Sequence, residues 1–508
     1  MDDAIAGEWS VVSPQAEPVW GTPTHIGVRY SHVGVAHAGR MVVSHGYFYN
    51  HQQHKPAWQS DTWSFEPASG AWTKLHAAWS EDKAGHGPSP RYSVSAVVYA
   101  DTLLMFGGDD GGHLHSPMNY IFGAYSDELW LFDLRAHSWQ LVPKPEGAAW
   151  PSKRALHGAA LVNGRMHVYG GLGVSDHWAL CLESTAPGAP DKSGAPGAGW
   201  RWLKVRASAT VSASDGVDPA YVDRFATAGG PGSRHAIAVA AGGDGRGFYL
   251  FGGSRHGKTG FRPKVFDDLW YFREADAHAE VADELLGAWT FLGKARSGAP
   301  LPPAWPAARS HHSLVTLGAE SGVDVGVLLF GGALCVPGCS CYNDTWVWRP
   351  ESRRFSPVQV RPRWRAVRET ARTGKGAEGA ADMRVACARR PRPALVARAR
   401  APRPLPSSTT PPPPFFKNGG AQVSEPPIWR YRQSLVSTAN DGSFFLFGGE
   451  SYKPYMCAHS GRAAPFAFAP RPPAPRNPRT ARARPPPNPP PPPHPFLCVA
   501  GTTIPSQS

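Results

Sequence analysis

The sequence predicts an all-β protein assembled from copies of one four-stranded unit, and three recurring stretches carry that prediction. An apolar run that stops at two glycines occurs as LLMFGG (103–108), MHVYGG (166–171), FYLFGG (248–253), LLFGG (328–332) and FFLFGG (444–449), with a weaker relative, MVVSHG, at 41–46. An acidic–x–Trp run follows it in DTWSF (61–65), DELWLF (127–132), DHWAL (176–180), DDLWYF (267–272) and NDTWVW (343–348). An Arg-led run precedes it, in RYSHVGVAH, RYSVSAVVY, RALHGAALV, RHAIAVAA, RSHHSLVTL and RYRQSLVST.

Within a unit the Arg-led run is the first strand, the glycine-ended run the second and the acidic–x–Trp run the third. AWTKL, SWQLV, WRWLKV, AWTFL and RFSPV supply the fourth. All are short, rich in β-branched and aromatic residues and bounded by turn formers. The paired glycines allow positive φ and a close backbone approach that a side chain would block. The third-strand and fourth-strand tryptophans lie nine residues apart in Trp63/Trp72 and Trp130/Trp139, where their rings can fill the wedge between neighbouring sheets. One four-stranded unit cannot bury both faces. Several stacked around a ring can, and they leave only short protected edges.

These residues resemble the kelch repeat, and so the kelch-type, galactose-oxidase-like β-propeller family. The matching positions are Gly107-Gly108, Gly170-Gly171, Gly252-Gly253, Gly331-Gly332 and Gly448-Gly449, with Trp63, Trp130, Trp178, Trp270 and Trp346. The first copy departs from the pattern, with His45-Gly46 in place of the pair. Kelch units run near 50 residues. Here successive glycine pairs stand 63, 82, 79 and 117 residues apart, so the loops carry insertions. The six pairs of first and second strands imply six blades of four antiparallel strands. Residues 1–358 hold blades one to five, and 428–458 hold a sixth with no acidic–x–Trp strand. EWSVV at 8–12 reads as an orphan fourth strand, and the resemblance implies that such a terminal strand closes the ring on the last blade.

Charge divides the chain. Residues 361–417 carry a net +11 and residues 459–508 a net +6, which leaves −4 on the rest of a chain whose total is +13. The insert 359–427 and the tail 459–508 are Pro/Arg-rich low-complexity sequence and are expected to be disordered, because neither holds enough apolar area to offset its ordering entropy. Three readings stay open for them: a basic arm for acidic surfaces, a polyproline ligand, or non-coding sequence translated into the chain. They lack the interleaved aromatics of single-strand binders, so nucleic acid is not the expected partner. No run approaches 18 apolar residues, so no transmembrane helix is expected. The N-terminus has neither a basic region nor an apolar stretch. Its reading is cytoplasmic if that start is authentic, and secreted or cell-surface if it is truncated.

Strand parity puts the second-to-third loops and the inter-blade links on one face, and most long segments belong to it. Candidate partner-binding residues there are Tyr47, Tyr49, His51, His113, His115, Tyr120, Tyr125, Arg255, His256, Lys258, Arg262 and Tyr342, aromatic and cationic types that anchor interfaces. The repeated Arg-x-x-His of the first strands (Arg29/His32, Arg154/His157) reads as hydrogen bonding between blades. Cys335, Cys339 and Cys341 are spaced C-x3-C-x-C. That spacing is unlike a paired zinc half-site, and a loop disulfide from Cys335 to Cys339 or Cys341, or free thiols, are the other readings. No nucleophile motif, phosphate-cradling loop or cofactor site is recognisable, and the copper chemistry of galactose oxidase would need a Tyr–Cys crosslink that no cysteine is placed to make. The expected role is a non-enzymatic scaffold for a protein or peptide partner, with an extracellular glycan-binding adhesion fragment or a galactose-oxidase-like copper enzyme as the alternatives.

Overall fold

Each of the recurring runs becomes one strand, and four successive strands make one antiparallel sheet. The computed structural model describes residues 6–11, 26–27, 29–50, 55–78, 87–110, 124–182, 199–210, 229–255, 264–275, 280–281, 283–295, 305–317, 326–335, 339–360, 431–437, 444–450 and 466–470. Every regular element among them is a strand. The blades belong to a compact unit, Met1–Pro470, and a second unit, Arg471–Ser508, lies outside the described residues.

Blade 1 is Val33–His37, Arg40–Asn50, Lys55–Glu66 and Ala71–His76, and blade 2 is Ser95–Tyr99, Thr102–Phe106, Leu129–Asp133 and Ser138–Val142. Blade 3 is Gly158–Val162, Arg165–Tyr169, His177–Cys181 and Arg201–Thr210. Blade 4 is Ala238–Ala241, Gly247–Phe251, Leu269–Glu274 and Glu284–Gly293, and blade 5 is Ser313–Thr316, Val327–Phe330, Thr345–Arg349 and Arg354–Pro357. The second strands of blades 4 and 5 are buried along their whole length. Both of their faces meet a neighbouring blade, which is why they read as unbroken apolar runs.

The blades close into a ring. Each first strand lies against the first strand of the next blade, and that of blade 6 lies against that of blade 1. Six apolar clusters fill the six junctions. Between blades 2 and 3, for example, Leu104, Phe106 and Leu131 meet Met166, Val168 and Trp202. Between blades 6 and 1, Phe445 and Phe447 meet Met41, Val43 and Phe65.

Blade 6 uses both ends of the compact unit. Tyr431–Ser437 pairs with Phe444–Glu450, and Ala6–Val11 fills the fourth-strand position. The acidic–x–Trp strand is absent, as its sequence indicates. Its slot is taken by Phe466–Pro470, which pairs with Phe444–Leu446 on one side and with Gly7–Val11 on the other. That segment falls within the stretch from 459 that composition assigns to the tail. Backbone pairing needs no motif, and two otherwise open edges face each other there. Pro470, which cannot donate to a ladder, ends the strand.

Blades 3 and 4 are joined beyond the repeat pattern. Their fourth strands, Arg201–Thr210 and Glu284–Gly293, are ten residues each and pair in parallel from Lys204↔Glu284 to Thr210↔Thr290. The two blades thereby become one continuous sheet.

Candidate functional site: the axial mouth

The site is built on a clamp that every complete blade repeats. The arginine before the first strand reaches the acid that opens the third: Arg29–Asp61 at 2.8 Å, Arg91–Glu128 at 2.7 Å, Arg154–Asp176 at 2.8 Å, Arg234–Asp268 at 2.7 Å and Arg309–Asp344 at 2.6 Å. The same guanidinium donates to the carbonyl at the end of the second strand, from His45 in blade 1 to Gly107, Gly170, Gly252 and Gly331. The tryptophan two residues past the acid donates Nε1–H to that carboxylate at 2.6–3.0 Å. Burial alone would raise the Asp61 carboxyl, but the Arg29 charge and the Arg29 and Trp63 donors hold it below the usual carboxylate range. Glu128 and Asp344 are held down in the same way. The clamp therefore acts within a blade.

The glycine pair and the histidine act between blades. The second glycine donates its N–H to the carbonyl of the next blade's arginine: Gly46 to Arg91, Gly108 to Arg154, Gly171 to Arg234 and Gly253 to Arg309, at 2.9–3.0 Å. The first glycine leaves room for that carbonyl. A Cβ on Gly107 would lie 2.7 Å from the Arg154 oxygen and 3.0 Å from the His157 ring. His32, His157 and His312 occupy alternate blades and stand edge-on to Phe447, Phe106 and Phe251 of the preceding blade. Burial, reinforced by the adjacent arginine, lowers each of these histidines to about 3. In blades 2, 4 and 6 the equivalent residues are Val94, Ile237 and Gln433. The expected inter-blade role thus belongs to the histidine rings and the arginine carbonyls, while the guanidinium binds its own blade.

One residue before that histidine position, the first strands form a belt around the axis. Ser93 N–H donates to Ser31 O, Leu156 to Ser93, Ala236 to Leu156 and His311 to Ala236, at 2.8–3.1 Å. All five residues adopt positive φ, between 52° and 59°. That conformation is uncommon for non-glycine residues and persists where surroundings impose it. The belt rims a depression of about 110 Å³, which also contacts His32, His157 and His312. The Oγ atoms of Ser31 and Ser93 are buried with no hydrogen-bond partner. Because the belt precedes the first strands, it opens on the face of the second-to-third loops.

Sequence reasoning missed this belt, since its positions carry no shared residue type. It placed some of its candidates nearby. Tyr47 is buried against Tyr30, Trp58 and Tyr92 and bridges by backbone to Tyr30. Tyr49 lies in the extended second strand of blade 1. Tyr125 bridges to Asp109, and burial with that nearby carboxylate raises its hydroxyl pKa. Arg255 pairs with Lys264 in a two-stranded hairpin above blade 4. Tyr342 lies under the Arg309 guanidinium, 4.3 Å from its ring centre. His51, His113, His115, Tyr120, His256, Lys258 and Arg262 lie outside the described residues. No His/Cys/Asp/Glu group able to hold a metal occurs among the described residues.

A buried network also escaped notice. Glu274 of blade 4 accepts from Asn163, Arg165 and His167 of blade 3, and His167 Nδ1 lies 2.9 Å from His177 Nε2. Burial would raise Glu274, but the His167 bond and charge, with Asn163 and Arg165, bring it below its ordinary value.

A ring of six four-stranded blades around a narrow axis defines a six-bladed β-propeller. Its repeat and its fold are those of a kelch-type β-propeller. A family model described as Attractin/LZTR1 beta-propeller matches residues 3–176. The chain is similar to human host cell factor 2, 38% identical over 88 residues, covering 16% of this chain and 10% of that protein. It is also similar to human kelch domain-containing protein 3, 31% identical over 145 residues, covering 28% of this chain and 35% of that protein. The matches thus span between a tenth and about a third of these relatives. The solved structure of YjhT matches with a TM-score of 0.41 at 11% identity, over 65% of this chain and 84% of that one.

Proposed function

We propose that this chain is a non-enzymatic protein-interaction scaffold whose loop-rich face, centred on the axial mouth, receives a protein or peptide partner. The observation that carries this reading is the belt. Arginine, acid, tryptophan and glycine recur from blade to blade, whereas the belt side chains Ser31, Ser93, Leu156, Ala236 and His311 differ at every step but one. Positions that hold the ring repeat, and positions that face the mouth are free to vary with a ligand. About 110 Å³ admits one side chain and falls short of the roughly 300–1,000 Å³ of a small-molecule pocket. The Ser31 and Ser93 hydroxyls supply polar contacts at its base. A hydrogen-bonded belt is preorganised, so binding requires little backbone movement.

The test is a peptide-display selection on the whole chain, followed by titration of an enriched peptide. Leu156→Asn alters the mouth while keeping a residue type that tolerates positive φ. Arg246→Glu alters the exposed first-to-second turn of blade 4 on the opposite face. Leu156→Asn should weaken binding at least tenfold and Arg246→Glu should not. The reverse pattern would overturn the proposal.

A further inference from the structure

The second-to-third connection of blade 5 carries its own short ribbon, Ala333–Cys335 against Cys339–Cys341. Its root is fastened at the mouth. Ser310 and Ala333 exchange two backbone hydrogen bonds of 2.9 Å, and Tyr342 N–H donates to Gly332 O at 2.8 Å. Toward its far end the described residues form a ladder three residue pairs long, and a two-stranded ribbon of that length is marginal in water.

The register chooses among the cysteines. Cys335 stands directly opposite Cys339, and Ala333 opposite Cys341. Opposed residues of an antiparallel ladder have Cα atoms about 4.5–5.5 Å apart, inside the roughly 4.4–6.8 Å that a disulfide spans. The diagonal pair Cys335 and Cys341 falls at about 7–8 Å, beyond that span.

We propose that Cys335 and Cys339 are a reversible dithiol–disulfide pair that locks the end of this ribbon beside the mouth. On oxidation the two thiols release two protons. Their two electrons pass through a mixed disulfide to a low-molecular-weight disulfide such as oxidised glutathione, which leaves as two thiols. Control of partner binding by this bond rests on the docking role proposed above, whereas the bond itself does not.

The experiment equilibrates the whole chain over a range of reduced-to-oxidised glutathione ratios, traps thiols by alkylation and digests with trypsin without reduction. All three cysteines fall in one peptide, Ser310–Arg353, because Arg349 precedes a proline. At oxidising ratios this peptide should carry one alkyl group in place of three and be two hydrogens lighter than the same singly alkylated sequence, with fragments confining the bond to the stretch before Ser340. Cys341→Ala should retain the loss and Cys339→Ser abolish it. No loss at any ratio, glutathione adducts alone, or a bond that includes Cys341 would overturn the proposal. Titrating the selected peptide against oxidised and reduced chain then tests the control: at least a threefold difference in affinity is expected, and equal affinities would remove the regulatory role while leaving the bond.

Discussion

Asp268 shows how much one buried charge holds. It is fully buried, binds Arg234 through both oxygens and accepts from Trp270. Removing it strands a buried guanidinium, a loss on the order of 3–5 kcal/mol. The half-exposed pair Arg40–Glu66 contributes less than about 1 kcal/mol. Asp268→Ala should therefore shift the urea midpoint strongly, while Glu66→Ala barely moves it. Histidine sets the pH response. His32, His45, His157 and His312 are buried with pKa values of about 3, against an ordinary 6.5. The unfolded chain binds more protons than the native one between these limits. Stability is thus complete above pH 6.5 and falls as the pH drops toward 3, by up to roughly 1.4 kcal/mol per pH unit for each histidine. Replacing His312 by isoleucine, the type Ile237 supplies at that position in blade 4, should reduce the pH slope of unfolding by about one proton. An unchanged slope would contradict this assignment. The Arg-x-x-His pattern was legible in sequence as structural, but which half binds within a blade and which between blades depended on backbone contacts that spacing does not encode.

At the scale of strands and turns, the glycine pairs carry the testable content. Gly252 has φ +58°, and a Cβ there would lie 2.6 Å from the Arg309 carbonyl. Gly245 has φ +67° with nothing within 4 Å. Gly245→Ala should cost only the left-handed backbone, about 1–2 kcal/mol. Gly252→Ala adds a clash with backbone that cannot move without parting two blades, so its loss of stability in chemical denaturation should clearly exceed that of Gly245→Ala. Similar losses would show that inter-blade approach is not the reason for the first glycine. The strands of blades 1 to 5 were readable because burial on both faces forces a recognisable composition. Phe466–Pro470 was not, since it carries no acidic–x–Trp signature and lies in proline-rich sequence. The parallel junction of Arg201–Thr210 with Glu284–Gly293 was equally silent, because pairing between fourth strands depends on strand length and position in the ring. The mouth was hidden for the opposite reason, as its defining residues share a backbone conformation and no side chain.

On the scale of the molecule, the belt and mouth depend on ring closure. Five blades repeat one clamp, and the sixth is completed by Phe466–Pro470 and the N-terminal strand Ala6–Val11, with Trp9 opposite Phe468. Removing residues 1–12 exposes an open edge on blade 6 and leaves its third strand paired on one side only, so the truncated chain should melt at a lower temperature and self-associate. The most direct test of the account is a cysteine pair at Trp9 and Phe468, oxidised in the native protein and mapped by mass spectrometry. The account predicts an intramolecular bond between these two positions, formed without linking one chain to another, together with a raised melting temperature. If the pair fails to join within one chain, the ring does not close in this way, and a mouth built on that closure has no foundation.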